Sequence, residues 1–325
     1  MRELTYTAAA REGLAEEMAR DSTVFVVGEG VGTRGGNFNT TVGLFDLYGP
    51  ERLRDTPISE RGFTGLCTGA AMTGTRPVVD YMFIDFALDA LGELINQTAK
   101  IQYMSDGRLK MPIVLRACMG LGNSAATHHS GSYYPLFTHL PGFRVVVPAT
   151  PRDAKGLLKT SIRCDDPVIF LEHRSLLGSK GAVPEEEYLI PFGQAAIARE
   201  GKDISLVAIS SMLPKALEAA NTLAGEGVQV EVIDPRTLAP LDIDTILRSV
   251  HKTGRLLVAD ETFAPCAIGA EIAAQVMVRA FDDLDAPVHR LNGAHVPAPY
   301  SAPLEAAIVP NVRAIEQAIR DLLAE

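Results

Sequence analysis

The chain has 325 residues and a net charge of −10, with 47% hydrophobic and 22% charged residues, a balance that suits two globular domains. No Lys/Arg-rich block offsets the acidity, which argues against a nucleic-acid partner, since phosphate binding needs a basic stripe. Cys67, Cys118, Cys164 and Cys266 are widely spaced, so a disulfide framework or zinc site is disfavoured and a reducing cytosol is expected.

The opening "MRELTYTAAAREGLAEEMARD" is charged throughout and lacks an apolar signal core, and no stretch reaches the roughly 20 apolar residues of a membrane span. A cytoplasmic protein is therefore expected. A helix over 7–20 leads into the strand "TVFVVG" (23–28) and then a glycine-rich run, "GEGVGTRGG" (28–36). Gly30, Gly32 and Gly35 match the dinucleotide-binding spacing, but that fingerprint needs a helix to open within the run. Here "NFNTT" intervenes, so a loop lining a pocket is the better reading.

Next comes "DTPISERGFTGLCTGAAMTG" (55–74), a predicted helix from about residue 60. Glu60 stands in its first turn, ahead of Gly62, Gly65 and Gly69. Each helical glycine costs up to about 1 kcal/mol relative to alanine, which suggests close approach of another backbone or a ligand. Glu60 itself has two readings: an acid that complements the helix dipole, or a functional acid.

The strand "RPVVDYMF" (76–83) is followed by a predicted helix over 86–104, where Asp85, Asp89 and Glu93 stand four residues apart. Without a histidine they read as a solvated or partner-facing row rather than a metal site. After "MPIVLRA" (111–117), the segment "ATHHSGSYYPLFTHLPGF" (126–143) gathers His128, His129, Ser130, Tyr133, Tyr134 and His139. Histidine is the natural proton carrier near neutral pH, although His128 and His139 read as structural.

Strands "FRVVVP" (143–148) and "PVIFLE" (167–172) flank a helix over 151–163, giving a parallel α/β sheet. A Gly-, Pro- and charge-rich stretch (173–203) then separates this half from a second alternation of strands and helices. The predicted boundary lies near residue 185, with domains 1–185 and 186–325.

Together these segments resemble the β subunits of the thiamine-diphosphate-dependent 2-oxoacid dehydrogenases, the decarboxylating first component of the pyruvate, branched-chain and acetoin enzymes. The anchors include "VVGEGV", "DTPISERGFTG", "GAAMTGTRPVVDYMFIDF", "INQTAKIQYMSDG", "HHS", "DPVIFLEH", "VIDPRTLAPLD" and "NGAHVPAPYS", in family order almost end to end. The resemblance implies an N-terminal pyrimidine-binding domain and a C-terminal transketolase-like domain. It implies that Glu60 shares a proton with a ring nitrogen of the cofactor's aminopyrimidine, and that Phe86 packs on that ring. Glu29 matches an acid near the same pocket, and His129 a histidine that orients the 2-oxo acid or handles protons during acyl transfer to lipoamide. A structural potassium ion held by main-chain oxygens is implied at Ile113, Ser161, Ile162, Cys164 and Asp166, with Cys164 where aspartate is more usual.

The "GDG" that opens the magnesium–diphosphate motif of thiamine enzymes is not present in the chain. A separate α subunit is therefore expected to supply the Mg2+ and diphosphate half, giving an α2β2 heterotetramer that delivers to a lipoyl-bearing acyltransferase core. The segment "HHSGSYYPLF" departs from the family's "HSQ" pattern and leaves other readings open. These are half of a split transketolase-like or acetoin-cleaving thiamine enzyme and, in a different class, an NAD-dependent oxidoreductase.

Overall fold

The computed structural model describes all residues from Met1 to Glu325. They form two compact units, Met1–Met119 with His128–Phe192, and Gly120–Thr127 with Gly193–Glu325. No helix is long and apolar enough to cross a membrane.

In the first unit six strands pair in the order Arg144–Val146, Val168–His173, Val114–Met119, Arg76–Phe83, Val24–Gly28 and Leu53–Asp55, every pair parallel. The central strands are buried along their length, as sheets covered on both faces require. A short antiparallel pair, Arg2–Thr5 with Lys180–Val183, stands apart from this sheet. In the second unit the order is Ala196–Arg199, Val230–Asp234, Ile204–Ala208, Leu256–Phe263 and His289–Gly293, with only the first pair antiparallel.

Two first-unit helices, Tyr6–Arg20 and Pro151–Arg163, pack through charge as much as through apolar groups. Lys155 and Lys159 are buried there, with Lys155 Nζ 2.5 Å from Glu12 and 2.6 Å from Glu16. Lys159 reaches Glu16, and Arg163 lies 2.7 Å from Glu17. The missing side chain of Gly13 allows the approach, since a Cβ there would stand 3.1 Å from the Lys155 carbonyl.

The helix predicted over 86–104 is instead broken into α-helical Ile84–Ala87, 3-10 Leu88–Ala90, α-helical Leu91–Glu93, a π-turn at Leu94–Thr98 and α-helical Ile101–Met104. A side chain is responsible for part of this. Thr98 donates its hydroxyl to the Glu93 carbonyl five residues back and meets the Thr68 hydroxyl at 2.7 Å, which favours the wider turn. Asp85, Asp89 and Glu93 therefore do not form one row on a regular helix.

The glycine run ends without a helix of its own. The next helix, Leu44–Tyr48, has five residues, and Gly30, Gly35 and Gly36 take positive φ. Gly32 donates its N–H to Asp55 at 2.9 Å, and a Cβ there would collide with that carboxylate. No pyrophosphate-facing helix N-terminus exists at this place, so the dinucleotide fingerprint is not met.

Candidate active site

Parallel α/β sheets bind ligands beyond the carboxyl ends of their strands. The residues singled out from the sequence in the first unit gather there. Glu29 follows the strand Val24–Gly28, Glu60 opens the helix Glu60–Met72 five residues after Leu53–Asp55, and Phe86 stands just beyond Arg76–Phe83. The strands are in register across this edge, with Gly28 beside both Asp80 and Asp55.

Glu60 is buried, only 9% exposed, yet its carboxylate makes no hydrogen bond or ion pair within the chain. Its backbone is firmly fixed. The Thr64 hydroxyl bonds the Glu60 carbonyl at 2.6 Å and the Tyr81 hydroxyl at 2.6 Å, locking the first helical turn to the neighbouring strand. Glu29 is close enough to feel the Glu60 charge. Burial, and then that charge, push the Glu29 carboxyl above the usual carboxylate range. Gly69, on the same helix, has nothing of this chain within 4 Å of where a Cβ would point.

The end of the strand Arg76–Phe83 is irregular. Asp80 accepts the Met82 N–H at 2.9 Å, Met82 takes φ 61°, and the pairing register shifts between Asp80 and Phe83. This bulge re-aims the following residues, as bulges beside functional sites commonly do. Phe83 and Phe86 then frame the His129 ring edge-on, with centroids 4.9 and 5.3 Å away at 86° and 83°. Arg174 lies over the faces of Phe38 and Phe83 at 5.7 and 5.4 Å. Thus Phe86 and His129 come together, as do Glu29 and Glu60, whereas His128 and His139 are exposed.

Sequence reasoning missed Asp85. Its half-buried carboxylate accepts the Gly131 N–H at 3.2 and 3.3 Å and the Tyr133 hydroxyl. Burial raises the Asp85 carboxyl above the usual range, opposed by these donors and by His129. The available signal is the acid within "FIDF", which helical spacing instead places in a solvated or partner-facing row. A second missed feature is the fully buried pair Arg116–Glu172, bidentate between adjacent strands, with one contact at 3.0 Å.

At the positions implied for potassium, the carbonyls of Ile162 and Cys164 accept hydrogen bonds from Arg76 Nη1 at 3.0 and 2.9 Å. The Ile113 carbonyl accepts the Val168 N–H, and the Asp166 side chain pairs with Arg144. A guanidinium of the chain thus holds two of the five oxygens. Elsewhere, no group of three or more His, Cys, Asp or Glu side chains could hold a metal ion.

The chain is a transketolase-like protein. Residues 2–180 match the transketolase pyrimidine binding domain and residues 193–315 the transketolase C-terminal domain. The chain belongs to the β-subunit family of the thiamine-diphosphate-dependent 2-oxoacid dehydrogenases, the E1 components. It is 46% identical to the acetoin:2,6-dichlorophenolindophenol oxidoreductase subunit beta of Cupriavidus necator, over 98% of this chain and 97% of that one. It is 44% identical to the pyruvate dehydrogenase E1 component subunit beta of Rickettsia felis, over 98% of both chains. The mitochondrial subunit beta-2 of Oryza sativa shares 45% identity over 98% of this chain and 86% of its own length. In fold, the chain is similar to a split-gene transketolase described as an inactive beta4 tetramer, with a TM-score of 0.80, 22% identity and coverage of 99% and 98%.

Proposed function

We propose that this chain is the β half of a cytoplasmic α2β2 enzyme that decarboxylates a 2-oxo acid and passes the acyl group to lipoamide on an acyltransferase core. The observation that carries this reading is Glu60, a residue only 9% exposed at a helix start whose carboxylate has no hydrogen-bond or ion-pair partner in its own chain. Burying an acid unpaired is costly, so such a group fits a ligand that completes it. The aminopyrimidine of thiamine diphosphate fits that requirement, because a ring nitrogen can share a proton with a carboxylate.

When bound, thiamine diphosphate supplies an acidic ring carbon that becomes the nucleophile toward the oxo carbon. The chain's own residues prepare that event. Glu60 holds a proton at the pyrimidine nitrogen, while Glu29 keeps a second acid nearby whose proton is retained to higher pH. Phe86 offers ring surface for aromatic packing, and His129, steadied by Phe83 and Phe86, orients the oxo acid or moves a proton during acyl transfer.

Mg2+ and the diphosphate belong on the α subunit in this reading, because the chain carries no "GDG" to open a magnesium–diphosphate motif. The potassium positions are read as fastened by Arg76 instead of an ion, since a guanidinium beside the same carbonyls opposes a second cation.

A second reading, acetoin as substrate, is favoured by one observation, the 46% identity to an acetoin oxidoreductase subunit. Co-expression with the α subunit and dye reduction by pyruvate, branched 2-oxo acids and acetoin separates the two. Turnover of an oxo acid is expected only with both subunits, thiamine diphosphate and Mg2+. Turnover of acetoin alone selects the second reading, and no turnover of either kind overturns both.

A further inference from the structure

We infer that Asp85 is the positioning residue of His129: its carboxylate, gripping the Gly131 N–H and the Tyr133 hydroxyl, latches the 128–133 loop so that the imidazole stands against Phe83 and Phe86. This rests on the proposed role of His129 in the thiamine-dependent reaction. The loop itself contains no regular structure after residue 129 until the helix Tyr134–His139 begins. Without an external anchor, a segment with glycine at its centre would sample many conformations.

Asp85 supplies that anchor. It sits in the short helix Ile84–Ala87, directly beyond the bulge that places Phe83, so one backbone feature fixes both the aromatic frame and the acid. Its two oxygens stand 3.2 and 3.3 Å from the Gly131 nitrogen, and the Tyr133 hydroxyl donates to the same carboxylate. Hydrogen bonds to an ionised acceptor are roughly twice as strong as neutral ones.

Gly131 is required by this geometry. A Cβ there would lie 2.1 Å from Cε2 and 2.6 Å from Cζ of Tyr133, and 2.8 Å from Asp85 Oδ1. The tyrosine ring therefore folds directly over the glycine, closing the latch from above. The segment "HHSGSYYPLF", which departs from the family pattern, thus carries its own locking device: Gly131 makes room, Tyr133 fills it, and Asp85 receives both donors. The Asp85 carboxylate, which grips the loop two residues beyond the imidazole, also feels the His129 ring.

The test is a double-mutant cycle on the reconstituted αβ enzyme with thiamine diphosphate and Mg2+, combined with amide hydrogen exchange. Asp85→Ala is expected to lower kcat by about 30-fold with a much smaller change in KM. Asp85→Asn keeps an acceptor for the Gly131 N–H and restores kcat to within about 3-fold of the wild type. In a His129→Ala background, Asp85→Ala adds nothing further, because the two act as one unit. The Gly131 amide exchanges faster in Asp85→Ala and returns toward the wild-type rate in Asp85→Asn.

An unchanged Gly131 exchange rate in Asp85→Ala overturns the inference, as does a full additional loss in the His129→Ala background. Should Asp85→Ala fail to fold, Tyr133→Phe must show the same masking by His129→Ala at about 3-fold scale. A complex inactive on every oxo acid and on acetoin overturns the functional reading instead, and the Gly131 exchange rate then decides the latch on its own.

Discussion

Two acids at the same sheet edge, Glu60 and Asp85, live in opposite circumstances. Glu60 is buried with no partner, whereas Asp85 is half-buried and receives donors from Gly131 and Tyr133. The protein's internal hydrogen-bonding is complete around one and open around the other. A buried polar group left open costs about 1–3 kcal/mol, a burden a chain carries where a ligand will relieve it. In the proposed reading, the contrast separates a group that meets the cofactor from a group that arranges its neighbours.

The sharpest way to break this contrast is Glu60→Gln. In the reconstituted complex it should lower kcat by about 1,000-fold or more, with circular dichroism unchanged and the melting temperature near pH 7 not lowered, because no internal bond is lost. Equal losses in Glu60→Gln and Asp85→Asn would erase the distinction. Next in size stands a third acid, Glu172, whose partner is wholly internal. Glu172→Ala leaves the Arg116 charge buried alone and should destabilise the fold by about 3–5 kcal/mol, read as a lower midpoint in urea unfolding.

The smallest effect concerns Glu29. Its carboxyl binds a proton more tightly in the folded chain than in the unfolded one, through burial and the Glu60 charge. Stability contributed by that group therefore falls as pH rises from the unfolded pKa through the raised one. Glu29→Gln should flatten the pH dependence of the melting temperature as pH rises above the ordinary glutamate range of about 4.3. Glu60→Gln should flatten it in part, by removing the neighbouring charge.

Much of the architecture was legible because apolar runs buried on both faces and spaced by amphipathic helices leave little choice of layer. Strands such as Val24–Gly28 and Arg76–Phe83 follow directly from "TVFVVG" and "RPVVDYMF". Glu60 and Phe86 were legible only through whole motifs, since an acid in a first helical turn is otherwise unremarkable. Asp85 was illegible for a physical reason. Its role depends on a bulge at Met82 and on a loop some 46 residues away, while helical periodicity assumes an unbroken helix that Thr98 and the π-turn deny. The Arg116–Glu172 pair was hidden likewise, being a cross-strand partnership between residues 56 apart.

The charged seam between Tyr6–Arg20 and Pro151–Arg163 bears on how far the polypeptide tolerates trimming. Glu12 and Glu16 are the counter-ions for Lys155, and Glu16 serves Lys159 as well. Deletion through Glu17 would strand the interior Lys155 ammonium some 140 positions downstream and leave Lys159 only the more distant Glu187, so the helix Tyr6–Arg20 is an integral electrostatic plug.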